Sequence, residues 1–232
     1  MSKAFQVRST DVWVVVAALN EATRIGASVG SLTACGWNVV VVDDGSTDST
    51  AKEATRAGAV VLRHLINRGQ GAALQTGIDF ALAQQARYVV TFDADGQHSC
   101  RDIPEMLSHL TSGSADIVLG SRFLGEAINM PVHRYWLLKA ATLFTRLTTR
   151  LKLTDTHNGL RAMTASTARQ LQISEDRMAH ASEILHAVAQ LRLRYIEHPV
   201  TIQYHASTLA KGQRSSEALG VLKRLVISRL FT

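Results

Sequence analysis

The run Val89-Val90-Thr91-Phe92-Asp93-Ala94-Asp95-Gly96-Gln97-His98 ends an apolar stretch on two carboxylates one residue apart. If the stretch is a strand, Asp93 and Asp95 leave its end on one side. Their hard oxygens there suit Mg²⁺ or Mn²⁺, with a diphosphate able to complete the shell. Asp-x-Asp alone is a common pattern, and its position after a strand is what gives it weight. A second acidic pair, Asp43-Asp44, follows Val39–Val42 and precedes Gly45-Ser46-Thr47-Asp48. Ser46, Thr47 and Asp48 suit the capping of a helix. Adjacent Asp43 and Asp44 need separate partners, and one of them can accept an N–H from a base.

Something must hold these groups together. Short β-rich runs recur at Val12–Ala18, Val39–Val42, Ala59–Leu62, Tyr88–Phe92 and Ile117–Leu119. Helical composition fills the intervals Thr23–Ala34, Thr47–Ala57, Ala72–Ala86 and Ile103–Leu110. This alternation predicts an α/β fold with a mostly parallel central sheet flanked by helices. Such sheets bind ligands beyond the carboxyl ends of their strands, where Asn20-Glu21, Asp43-Asp44, Asn67-Arg68-Gly69 and Asp93-Ala94-Asp95 all fall. After Arg122 the pattern predicts a helical second half: Pro131–Leu151, Ser166–Leu171 and Met178–Leu191, a strand over Tyr195–Tyr204, and a last helix near Ser216–Leu230.

Bulk properties narrow the function. The 232 residues, 46% of them hydrophobic, suffice for one sizeable core, and neither a linker nor a repeat divides them. Residues 1–100 carry eight basic and nine acidic side chains, whereas residues 101–232 carry 17 and ten, so the second half is built to meet an anion. Cys35 and Cys100 are too few for a disulfide scaffold or a cysteine metal site, and two reduced thiols are expected. Neither a signal peptide nor a run of roughly 20 apolar residues is present, which predicts a cytosolic chain. Gly69-Gln70-Gly71 lacks the third glycine of a dinucleotide fingerprint, Leu74 standing in its place, and there is no Walker loop. The nine histidines form no His-Glu-x-x-His set, and aromatics are not interleaved with basic residues as a nucleic-acid platform needs.

Five ordered motifs, Leu19-Asn20-Glu21, the VVDDGSTD run, Asn67 to Leu74, the TFDADGQH run and Leu119-Gly120-Ser121-Arg122, resemble the family 2 glycosyltransferases of the GT-A (Rossmann-like) fold. Asp95-Gly96-Gln97-His98, Gly120-Ser121-Arg122 and the run Asp155-Thr156-His157-Asn158-Gly159-Leu160-Arg161-Ala162 are similar to the polyprenyl- and dolichol-phosphate sugar transferases. The likeness runs from Val12 to about Gln213. It implies one glycosyltransferase domain over residues 1–232, with a nucleotide-sugar half at about 10–122 and an acceptor half at about 123–232.

The resemblance also implies roles. Ala17, Leu19, Glu21, Asp44, Asn67, Asp93 and Ala94 would surround the nucleotide sugar, with Asp44 on the base. Asp93, Asp95 and Gln97 would hold Mg²⁺ or Mn²⁺. Arg122, Arg134 and Lys211 would meet the acceptor phosphate. Ala17 and Leu19 stand where the family usually has Pro and Tyr, Gln70 where Lys is frequent, and Cys100 near an expected Pro.

The implied reaction is inverting transfer from a UDP- or GDP-sugar to a polyprenyl phosphate or related lipid-linked acceptor. Two alternatives are transfer to a sugar hydroxyl in polysaccharide or lipopolysaccharide assembly and a binding module without turnover. A phosphate monoester is largely ionised at neutral pH and can attack unaided, its second pKa being about 6. A sugar hydroxyl needs a base, for which Glu183 comes first by position and Asp155 second. Pro131–Lys152 carries Arg134, Lys139, Arg146, Arg150 and Lys152 among Trp136, Leu143, Phe144 and Leu147 with no acidic residue. Gly220–Thr232 is similar in kind. Both can lie on an anionic bilayer, so peripheral attachment to the inner membrane face, directly or through a membrane-protein partner, is expected.

Overall fold

A computed structural model describes residues 8–174 and 180–204. Its centre is a seven-stranded sheet in the order β3-β2-β1-β4-β6-β5-β7. The first four strands are β1 (Val12–Ala18), β2 (Asn38–Asp43), β3 (Val60–Arg63) and β4 (Tyr88–Asp93), all parallel. They are joined through α1 (Ile25–Ala34), α2 (Thr50–Arg56) and α3 (Gln70–Ala83). Valine dominates β1 and β2 because both faces are covered. Val14 and Val16 pack on the side of α1 and α4 (Ile103–Thr111), and Val15 packs on the side of α3.

The second half departs from the expected helical run. β5 spans Ile117–Ile128, far beyond the short apolar segment that announces it, and pairs in parallel with β7 (Tyr195–Gln203) across an irregularity between Ser121 and Glu126. A further strand, β6 (Arg161–Thr164), inserts between β4 and β5 and runs antiparallel to both. Its four residues, Arg-Ala-Met-Thr, carry no strand pattern, since only tertiary pairing makes them extended. The predicted helices appear as α5 (Val132–Thr149), α6 (Ala165–Gln170) and α7 (His180–Gln190). The helix expected near Ser216–Leu230 lies outside the described residues.

The cysteines correct an expectation. Cys35, at the C-cap of α1, and Cys100, in the turn before α4, are paired as a disulfide with Cα atoms 7.0 Å apart. They meet because α1 packs beside the loop that follows β4, a contact also made by the Ser28 hydroxyl donating to the Ala94 carbonyl at 3.0 Å.

Candidate active site

The carboxyl ends of β1, β2 and β4 open into one cleft of about 1090 Å³. Its nucleotide end is an interlocked set of loops. Asp43 and Asp44 do have separate partners: buried Asp43 accepts from the Ser46 amide at 2.9 Å and faces Arg63 at 3.3 Å. Asp44 accepts from the amides of Arg68 (2.9 Å) and Gly69 (2.7 Å), and its other neighbour is His64 Nδ1 at 2.7 Å. The carboxylate expected to read a base is therefore also the seat of the Asn67-Arg68-Gly69 loop. Gly45 lets that loop come close, because a Cβ there would lie 2.9 Å from the Asn67 nitrogen.

The capping reading of the next residues needs correction. Ser46 accepts from the Asn20 amide at 2.9 Å and the Thr47 amide donates to the Asn20 side chain at 3.0 Å, so both join β2's loop to β1's loop. Asp48 alone acts at the start of α2, accepting from the Thr50 amide at 2.9 Å, and it also accepts from Ala22. Glu21 lines the cleft and pairs with Arg24 at 3.5 Å.

Asp93, the last residue of β4, and Asp95, in the turn that follows, line the same wall. Burial pushes the Asp93 carboxyl up, but the hydrogen bond from His98 Nε2 (3.0 Å) and the charges of His98, Arg161 and His180 bring it below its usual range. Burial and then the Asp93 charge push Asp95 above its usual range, against the pull of the Gln97 amide at 3.1 Å. The surroundings thus compensate the charge of Asp93 and leave that of Asp95 under-compensated, in the oxygen chemistry a hard dication takes. Among the described residues no group of three or more His, Cys, Asp or Glu side chains is arranged to hold a metal. Gln97 is not in the cleft wall; its carbonyl accepts from the Gln203 amide.

A further part of the wall comes from residues 157–159, Arg161 of β6 and the first two residues of α7, His180 and Ala181. Buried Asp155 pairs with Arg122 Nε at 2.6 Å, and the remaining Arg122 nitrogens donate to the Tyr204 hydroxyl and the His157 carbonyl. Arg122 is 5% exposed, so it acts as a strut behind the wall. Arg134 does line the cleft, its guanidinium 5.1 Å above the Tyr204 ring. Glu183 is not in the wall; its carboxylate accepts from the Ser174 amide at 2.9 Å and from the Ser174 hydroxyl. Lys211 lies outside the described residues.

Sequence reasoning missed His157, Asn158, Gly159, Arg161 and His180, all in this wall. The first four sit inside a motif it had noticed, but β6 was not foreseen, and without that strand nothing turns them toward Asp93. Asn158 Nδ2 and Arg161 Nη1 are buried without a hydrogen-bond partner, two donors set beside a cleft that would take phosphate or sugar oxygens.

Such a sheet, with an acidic pair at a strand end inside a nucleotide-sized cleft, defines a glycosyltransferase of the GT-A fold. The family model described as Glycosyl transferase family 2 matches residues 13–171, and the chain belongs to that family. Its relatives include the undecaprenyl-phosphate mannosyltransferase of Micrococcus luteus, 33% identical over 71% of both chains. Another is the UDP-N-acetylglucosamine–dolichyl-phosphate N-acetylglucosaminyltransferase of Methanococcus voltae, 28% identical over 94% of this chain and 96% of the relative. Among solved structures, glucosyl-3-phosphoglycerate synthase from Mycobacterium tuberculosis in complex with Mn²⁺, UDP and glucosyl-3-phosphoglycerate superposes with a TM-score of 0.72 at 20% identity, over 94% of this chain and 78% of that one.

Proposed function

We propose that this glycosyltransferase moves a sugar from a UDP- or GDP-sugar to a polyprenyl phosphate or related lipid-linked phosphate, with inversion. The observation that carries the acceptor is the state of the carboxylates. A hydroxyl acceptor needs a base, yet Asp155 is locked on Arg122 and Glu183 on Ser174. Among the described residues the carboxylates in the cleft wall are the acidic pair and the nucleotide-end residues Glu21 and Asp44. A phosphate, already ionised, requires none of them as base.

Asp93 and Asp95 would hold Mg²⁺ or Mn²⁺, and a dication there supplies charge neutralisation for the departing nucleoside diphosphate. This chain's own part is to seat the base end on Asp44 and the Asn67–Gly69 loop, and to orient the acceptor phosphate with Arg134, whose planar guanidinium matches phosphate oxygens. Relatives named for undecaprenyl and dolichyl phosphate acceptors support the lipid class. Transfer to a glycan hydroxyl is the second reading.

We also propose that the protein works peripherally on the inner face of a membrane. No helix among the described residues is long and apolar enough to cross one. α5 turns Leu138, Thr142 and Thr145 inward and leaves Val132, Trp136, Leu143 and Leu147 exposed. At 3.6 residues per turn those four fall within an arc of roughly 60°, the geometry of an interfacial helix.

The test is to incubate the full chain with labelled UDP- and GDP-sugars, Mn²⁺ or Mg²⁺ and a polyprenyl phosphate, and to extract the lipid. Metal-dependent label in the lipid phase is expected. Label appearing only on a glycan acceptor would overturn the lipid assignment in favour of the second reading.

A further inference from the structure

From Leu153 to Leu160 every residue is buried or half-buried except His157, which is exposed and lines the cleft. Its backbone is fixed from both sides: the amide donates to Asp155 at 3.3 Å, and the carbonyl accepts from Arg122. The ring is fixed too, with Nδ1 2.9 Å from the Thr156 hydroxyl, and Thr156 is itself buried. Nε2 has no partner among the described residues. A ring held by its backbone and by one nitrogen, with the other nitrogen open to a ligand cavity, is organised for contact in a way a mobile surface histidine is not.

The charge around it decides what it can contact. Enclosure by the cleft walls pushes the imidazole down to about 4; Arg122, Arg161 and His180 push the same way, and only Asp155 opposes them. At neutral pH the ring is uncharged and offers one donor and one acceptor. A phosphate is drawn instead to the guanidinium of Arg134 in the same wall. What suits a fixed neutral imidazole is a hydroxyl, which both donates and accepts. Its place in the chain points to which one: two residues on, Gly159 packs against the Asp93 carboxylate, and His157 and Asp93 line the same cleft, at the end where the diphosphate of a nucleotide sugar would lie.

We propose that His157 contacts a hydroxyl of the transferred sugar and so contributes to the choice of donor. This rests on the nucleotide-sugar reading above. The acidic pair acts on the diphosphate common to every donor and the nucleotide loops on the base, so neither reads the hydroxyls of the sugar.

The test compares binding of UDP, GDP, UDP-glucose, UDP-N-acetylglucosamine and GDP-mannose, each with Mn²⁺, to the wild-type chain, His157→Ala and His157→Asn. For the nucleotide that binds, the nucleoside diphosphate should bind all three proteins equally, which also reports that they are folded. The sugar nucleotide should lose about three- to tenfold in affinity with His157→Ala, the loss of one neutral hydrogen bond, and recover part of it with His157→Asn. A deoxy donor lacking the contacted hydroxyl should not distinguish wild type from alanine. If the alanine variant binds every sugar nucleotide as wild type does, the assignment to the donor sugar is overturned. A rise confined to the KM of a glycan acceptor would likewise move the contact to the acceptor and overturn it. Failure of the wild-type chain to bind any of the five probes would instead sink the nucleotide-sugar reading, and this inference with it.

Discussion

Gly159 packs its Cα directly on the carboxylate of Asp93, so close that a methyl group there would overlap both oxygens. The Thr91 hydroxyl holds the Gly159 carbonyl at 2.7 Å, so the loop cannot simply back away. Gly159→Ala should therefore turn Asp93 out of place and weaken Mn²⁺ binding in the presence of UDP or GDP by about 10- to 100-fold, the usual penalty for disturbing the surroundings of a metal ligand. Calorimetric titration of Mn²⁺ checks this, and unchanged affinity in a folded variant would show that Asp93 is not a ligand.

On its other side Asp93 is held by His98, whose side chain is 2% exposed and whose ring also packs on Phe92 with centroids 5.5 Å apart. His98→Leu keeps the packing and removes the hydrogen bond. The metal-dependent part of the thermal shift given by UDP or GDP should shrink, while the midpoint without ligand moves much less. Equal shrinkage of both would mean that His98 supports only the fold.

Much of this was legible beforehand. Asp93 ends a strand buried on both faces and Asp95 follows in the next turn, and such a strand announces itself in sequence because most of its positions are apolar. The partners of Asp93 were not legible. His98 and Asp95 are local, but Gly159 and Arg161 reach Asp93 through β6, whose pairing with Thr91 and its neighbours is a contact across about 70 residues of chain. Arg122 was expected from the resemblance to meet the acceptor phosphate; only the tertiary fold reveals Asp155, Tyr204 and the His157 carbonyl around it.

Asp44 ties three backbone and side-chain donors to one carboxylate, which makes its substitution a test of the nucleotide end. Asn at this position keeps one acceptor oxygen and replaces the other with a donor that faces the Gly69 amide. Leaving that amide unpaired costs about 1–3 kcal/mol. Asp44→Asn should lower the melting temperature and weaken UDP or GDP binding by at least about tenfold, measured by calorimetry. Undiminished affinity would place the base elsewhere in the cleft.

His198 makes a pH prediction. It is buried on β7, facing Asp102, Glu105 and His109. Burial lowers its pKa from the ordinary 6.5, His109 adds to that, and the two carboxylates oppose it. Below about 6.5 the unfolded chain therefore binds a proton that the folded chain refuses, and stability falls as pH drops through that window. Asp102, raised by its own burial, acts in the opposite sense, whereas His157, pushed down to about 4, adds to the decline between pH 7 and 5.5. Urea midpoints should fall over that interval, and His198→Asn should flatten the decline. A decline of the same steepness in the variant would assign it to other groups.

The outward face of α5 can be tested without reference to catalysis. An ordinary surface helix turns its large apolar side chains inward. Here the inward face holds one leucine and two threonines, while Trp136 is 66% and Leu147 73% exposed. Lys139, which lies 3.9 Å over the Phe123 ring, and Arg146 flank the exposed stripe and supply attraction to anionic headgroups. Burying each large apolar side chain in a bilayer is worth about 1.5–3 kcal/mol, so Trp136→Ser with Leu147→Ser should reduce binding to phosphatidylglycerol vesicles by well over tenfold. Nucleotide binding in solution should stay as it was, because neither residue lines the cleft. Raising the salt concentration should weaken wild-type binding by screening Lys139 and Arg146 while leaving the apolar contribution intact. If wild type and the double variant bind such vesicles equally, α5 is not the membrane-facing element, and its exposed stripe must be covered by something other than lipid.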